Sequence, residues 1–97
     1  GTVCYHYAEG TAEYTHPDIP EDAPTLTLVI GKNDTAESWM KIGNANSMAD
    51  RLIEQGQCKP CRIVVAKEAG EGICLKADDF SNWPQRIEAL EKTLLAL

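Results

Sequence analysis

The sequence predicts an α+β fold, a two-layer sandwich in which two helices cover a mainly antiparallel sheet in the order β-β-β-α-β-β-α. Three observations carry that expectation. Short stretches of alternating or β-branched residues are closed by Gly and Pro, two longer stretches repeat apolar residues at helical spacing, and 97 residues suffice for one core but not two. Residues 1–97 are therefore expected to form a single α+β domain.

The first element is "TVCYHYAEGTAEYTH", residues 2–16, which alternates and breaks at Glu9-Gly10. A two-residue hairpin turn there sets Tyr5 opposite Tyr14 and His6 opposite Glu13. The period of two puts Val3, Tyr5, Tyr7 and Tyr14 on a buried face, with Cys4, His6, Glu13 and Thr15 on the other. "PDIPEDAP" follows, and its three prolines allow neither ladder nor helix, so Pro17 to Pro24 reads as a stiff loop. "TLTLVIG", residues 25–31, is a short apolar run between Pro24 and Gly31, the pattern of a well-buried strand.

A helix is expected next, with Asp34 and Glu37 spaced as a capping box. Its stripe of Trp39, Met40, Ile42, Met48, Ala49, Leu52 and Ile53 ends at Gly56. Gly43 and "NANS" weaken its middle, where it is expected to kink or split. "CRIVVAK" and "GICLKAD" then read as a second hairpin around "EAGEG". Gly72 takes the left-handed position there, and Ile63, Val65, Ile73, Leu75 and Ala77 share one face. The last helix starts near Pro84, favoured by Asp78 and Asp79, and presents Ile87, Leu90, Leu94 and Leu95. The predicted core comprises Leu28, Ile30, Leu52, Val65, Leu75, Leu90 and Leu94.

Charge is distributed unevenly. The net charge is −6, and residues 1–24 hold five acids (Glu9, Glu13, Asp18, Glu21, Asp22) with no Lys or Arg, while the rest is nearly balanced. Such a surface attracts neither nucleic-acid phosphate nor anionic lipid, and no apolar run reaches the roughly 18 residues of a membrane span. The expected partner is another protein with a basic surface, with no nucleic acid and no membrane. The first residue is Gly rather than Met, which points to a tag remnant or a removed leader.

Nothing else in the sequence comes as close to chemistry as its four cysteines, Cys58 and Cys61 above all. If the second hairpin holds Cys74 away from "CKPC", full oxidation joins Cys4 to Cys74 and Cys58 to Cys61. The first bridge would close a long loop and restrict the unfolded chain by roughly 4 kcal/mol. Three alternatives stand beside it: four free buried thiols, a metal site from Cys4, His6, Cys58 and Cys61, and a redox-active C-x-x-C pair. A pair that follows a helix C-terminus lacks the dipole that usually activates such thiols.

Enzyme signatures are missing: there is no G-x-S-x-G, no Gly-rich phosphate loop and no H-E-x-x-H. His6 with Glu13 reads as a surface ion pair rather than an acid–base pair, and Asn33-Asp34-Thr35 also fits a glycosylation acceptor. No catalytic residue, cofactor or metal is expected. The leading expectation is a small secreted or periplasmic, non-enzymatic protein that binds another protein, as an effector, inhibitor or immunity protein does. Its contact residues are expected to be Glu13, Tyr14, His16, Asp18, Glu21 and Asp22. The alternative is a cytoplasmic metal-binding or thiol-active protein using Cys58 and Cys61.

Overall fold

The computed structural model describes residues 1–70 and 72–97. Its strands are β1 (Thr2–His6), β2 (Thr11–Thr15), β3 (Thr25–Val29), β4 (Arg62–Ala66) and β5 (Ile73–Lys76). Its helices are α1 (Ser38–Lys41), α2 (Ala45–Glu54) and α3 (Trp83–Ala96), with a 3₁₀ turn at Ala77–Asp79. The α+β class and the order of elements are as the sequence predicts, with the first helix divided in two.

The sheet is mixed rather than mainly antiparallel. Its strand order is β1-β2-β4-β3-β5. β1 pairs antiparallel with β2 and β2 with β4, whereas β3 runs parallel to both β4 and β5. The predicted second hairpin is thus not formed, because β3 lies between β4 and β5. Ile63 and Ile73 both sit beside Leu26, and Val65 and Leu75 both sit beside Leu28. These four side chains share the face expected of them although their strands never touch. A two-residue period encodes the face of a strand but not its neighbour.

After β4 the chain passes over β3 at Gly70, on the face away from the helices. A methyl group built on Gly70 would stand 3.5 Å from Thr27 Oγ1, and Thr27 points opposite to Leu26 and Leu28. This cover explains why β3 is buried on both faces, Thr27 included. Such burial is the mark of a central parallel strand.

The first hairpin forms with a register shifted by two residues: Tyr5 faces Ala12, Val3 faces Tyr14 and Cys4 faces Glu13. The turn is longer than the predicted two residues. Gly10 has φ +69°, and Glu9 and Gly10 donate to the carbonyls of His6 and Tyr7. A shift of two preserves side-chain parity, so Tyr5 and Tyr14 still face the core. Tyr7 instead falls in the turn and is exposed.

Asn44, at φ 52°, separates α1 from α2 where the polar run predicts weakness. Asp34 does not cap α1; its Oδ2 accepts from Gly31 N at 3.0 Å, and Ser38 Oγ receives the Thr35 N–H instead. α2 ends as expected, with Gly56 at φ +70° and a Schellman pair, Gln57 N–H to Leu52 O and Gly56 N–H to Ile53 O. Asn82, rather than Asp78 or Asp79, caps α3 by accepting from Gln85 N at 3.0 Å.

Helices and sheet enclose one core, in which Leu26, Leu28, Ile63 and Val65 meet Trp39, Met40, Leu52, Leu90 and Leu94. Of the predicted core, Ile30 and Leu75 are only partly buried, and Leu95 of the α3 stripe is exposed. Among the described residues, no helix is long and apolar enough to cross a membrane.

Candidate functional site

Three places carry chemistry, and the sheet distributes them between its two ends. The acidic loop between β2 and β3 and the C-x-x-C pair lie where β3 and β4 begin; a cleft lies where β3, β4 and β5 end.

Glu13 stands on the helix-free face of β2, with Oε2 3.6 Å from His6 Nε2. This is the predicted surface pair, made diagonally because Cys4 is directly opposite. Tyr14 points the other way and is fully buried, donating its hydroxyl to Asp50 Oδ1 on α2. Burial raises its pKa, and the bond to Asp50 raises it further. The expectation of Tyr14 as a contact residue is corrected: its ring is core, and its polar tip finds a partner 36 residues away.

His16 is also withdrawn. Its side chain is 8% exposed and its Nδ1 accepts from Asp18 N at 3.3 Å. Two turns, Ile19 N–H to His16 O and Ala23 N–H to Pro20 O, shape the loop. They leave Asp18, Glu21 and Asp22 exposed, and among the described residues no Lys or Arg pairs with these three.

All four cysteines are free thiols. The Cys4–Cys74 bridge is ruled out by the fold, since β1 and β5 are opposite edges of the sheet. Four strand spacings put them about 19 Å apart, against the ~7 Å limit for bridged Cα atoms. The expectation followed from a hairpin that is not made. Cys74 Sγ instead donates to Gly70 O at 3.4 Å.

The metal alternative fails too. β2 separates Cys4 and His6 from the strand that follows Cys61, and among the described residues no three His, Cys, Asp or Glu side chains converge to hold an ion.

Cys58 and Cys61 stay together. Cys58 follows the Schellman turn and donates its backbone N–H to Leu52 O, and Cys61 directly precedes β4. Both are buried, Cys61 completely. Burial pushes the Cys58 thiol above its ordinary pKa and the Cys61 thiol up to about 12.

The Cys61 shift has a consequence for stability. Well below its ordinary value of 9.0 the thiol is protonated whether the chain is folded or not, and its burial contributes fully. Above that, the unfolded chain releases the proton while the folded chain holds it to about 12, so stability falls as pH rises. Urea midpoints should therefore be level from about pH 7 to 8 and decline towards pH 10.5, and Cys61→Ala should decline less steeply. Equal slopes for the two proteins would contradict the assignment.

The cleft was not foreseen. A hollow of about 420 Å³ opens between Tyr7 and Gly10 of the first turn and Thr35 to Glu37. A second, of about 510 Å³, adjoins it through Ile30, Asp34 and Lys67 and reaches Gly31, Lys32 and Asp78. Ends of parallel strands where the chain departs to either side are a recurrent place for ligands. The two carboxylates crowd Gly31: a methyl group there would stand 2.6 Å from Asp34 Oδ2 and 2.8 Å from Asp78 Oδ1, so both would have to shift.

Asp34 is already engaged by Gly31 N–H and by Arg86 Nη1 at 3.4 Å, while Arg86 also bonds Ala77 O and stacks 4.7 Å over Trp83. Asp34 and Arg86 thus tie the strand ends to α3. The only sequence signal was "IGKNDT", a glycine turn directly after a buried strand. Comparison with protein-family models and with curated proteins finds no match to this chain.

Proposed function

We propose that this protein acts by binding another protein through the acidic surface of its first 24 residues, and that its partner presents a basic patch. The observation that carries this reading is the loop from Pro17 to Pro24. Prolines stiffen it, two turns shape it, and Asp18, Glu21 and Asp22 project from it, with no Lys or Arg paired to them among the described residues. Charge left uncompensated on a pre-shaped loop binds at small ordering cost and speeds encounter with a surface of opposite sign. Glu9, on an exposed turn beside Tyr7, extends the acidic character to the other end of the hairpin. Tyr14 and His16 support this surface from beneath instead of contributing contacts.

A role without catalysis remains part of the proposal. The argument for a secreted or periplasmic location through a Cys4–Cys74 bridge does not survive the fold, so the binding role is proposed without it.

The test is affinity capture from the source cell and its medium, using wild type and Asp18→Lys/Glu21→Lys/Asp22→Lys. A basic protein should be retained by wild type, elute as salt rises, and be lost by the variant. Equal retention by both, or retention indifferent to salt, would overturn the proposal. Glu88→Lys on α3, which faces solvent, should bind as wild type does.

A further inference from the structure

We propose that Cys58 and Cys61 form a reversible dithiol–disulfide couple, with Cys58 as the attacking sulfur and Cys61 as the resolving one. The inference is independent of the partner-binding reading. Its basis is the way the chain brings the two sulfurs together. The Schellman turn that ends α2 delivers Cys58, Lys59-Pro60 makes the bend, and Cys61 is fixed by the start of β4, where Arg62 N–H bonds Pro24 O at 3.0 Å. Only two residues separate the thiols, both are buried, and each shifts the other's pKa, Cys58 downward and Cys61 upward. Bond formation then requires Cys58 Sγ to leave Lys59 O, to which it donates at 3.1 Å, and the two sulfurs to close to about 2.05 Å.

Exposure assigns the roles. Cys61 has no accessible surface, whereas Cys58 retains 7% and sits beside exposed Lys59. An incoming disulfide can therefore meet only Cys58. The hydrogen bond from Cys61 favours the Cys58 thiolate, although burial disfavours it more strongly. Cys4 and Cys74 are not such a pair, since the sheet holds them at opposite edges.

The co-reactant is a small-molecule disulfide, RSSR, of the glutathione disulfide class. Cys58 loses its proton to water and its sulfur attacks one sulfur of RSSR. The Cys58–SR bond forms, the S–S bond breaks, and the departing thiolate is protonated to RSH. Cys61 then loses its proton, its sulfur attacks the Cys58 sulfur, and the second RS⁻ leaves and is protonated. The protein gives up two electrons and two protons, and RSSR becomes two RSH. Because burial holds both thiols protonated, the reaction should be slow at neutral pH and speed up about tenfold per pH unit until the Cys58 pKa is reached.

The experiment uses the full chain carrying Cys4→Ser and Cys74→Ser, equilibrated with graded mixtures of reduced and oxidised glutathione, then alkylated and mapped by mass spectrometry. Cys58 and Cys61 are expected to convert together to an intramolecular disulfide with circular dichroism unchanged. Adding Cys61→Ser should trap glutathione on Cys58, and adding Cys58→Ser should leave Cys61 unmodified. Mapping of the wild-type chain supplies the same readout should a variant fail to fold. Two free thiols at the most oxidising mixture would overturn the proposal, as would glutathione capture by Cys61 at the rate shown by Cys58.

Discussion

Trp39→Ala is expected to remove most of the folding stability of this protein. Trp39 has no exposed surface and sits on α1, a helix of four residues. One helical turn has no stability of its own, so α1 persists only through what its side chains contact. The Trp39 Nε1–H donates to Val29 O at 3.2 Å, and its ring meets Trp83 edge-on at 5.3 Å. One side chain thus joins the end of the central strand, the short helix and the first turn of α3.

Truncation of a buried aromatic to Ala costs about 3–5 kcal/mol, and a carbonyl left without its donor adds roughly 1–3. A domain of this size has about 5–15 kcal/mol in total. Chemical denaturation should show Trp39→Ala losing at least half of the wild-type stability, and Trp39→Phe, which keeps most of the volume, should lose less. A loss below about 1.5 kcal/mol for the Ala variant would show that the contacts of α1 are not what holds it.

Gly43→Ala is expected to destabilise the protein, against the direction that helix propensity predicts. Beside a helix, Ala usually improves on Gly by about 0.5–1 kcal/mol. Here a methyl group on residue 43 would stand 2.6 Å from the Trp39 carbonyl oxygen and 3.3 Å from Trp83 Cζ3. The carbonyl is backbone and cannot swing aside. Gly43 N–H also bonds Ser38 O at 3.1 Å, which closes α1 just before Asn44 enters the left-handed region.

Overpacking of this kind costs about 1–3 kcal/mol, and displacement of the Trp39–Trp83 contact places the expected loss at the upper end. Gly56→Ala is the matched control. It faces open space but has φ +70°, so only the left-handed penalty of roughly 1–2 kcal/mol applies. Equilibrium unfolding of both variants separates the causes. A Gly43→Ala protein as stable as wild type would mean that the α1–α2 junction yields easily.

Particular residues show how far local pattern reaches. The break at Gly43-Asn44 and the stop at Gly56 follow from backbone preferences of one or two residues, and both are found. Two caps differ from the local pattern: Asp34 accepts from Gly31 N–H and from Arg86 rather than capping α1, and Asn82, next to the first turn of α3, caps that helix in place of Asp78 or Asp79. Tyr14 has the composition of a contact residue, yet its hydroxyl is satisfied by Asp50 across the core. The acidic bias of residues 1–24 was legible as charge, and its exposure on Asp18, Glu21 and Asp22 came only with the turns of the loop. The cleft at the strand ends leaves only the glycine turn of "IGKNDT" as a local mark, because its walls come from four separate stretches of chain.

By itself the sequence determined which segments become strands and helices, which face of each is apolar, and that Cys58 and Cys61 stay close, since each depends on residues within a few positions of one another. Tertiary structure alone decided that β3 runs between β4 and β5, that Cys4 and Cys74 lie at opposite edges, and that Asp34, Lys67 and Asp78 gather at one end. A strand's side-chain period is the same beside any neighbour. Which strand becomes that neighbour is set by how the segment after Ala66 crosses β3 and by the helices that close the other face.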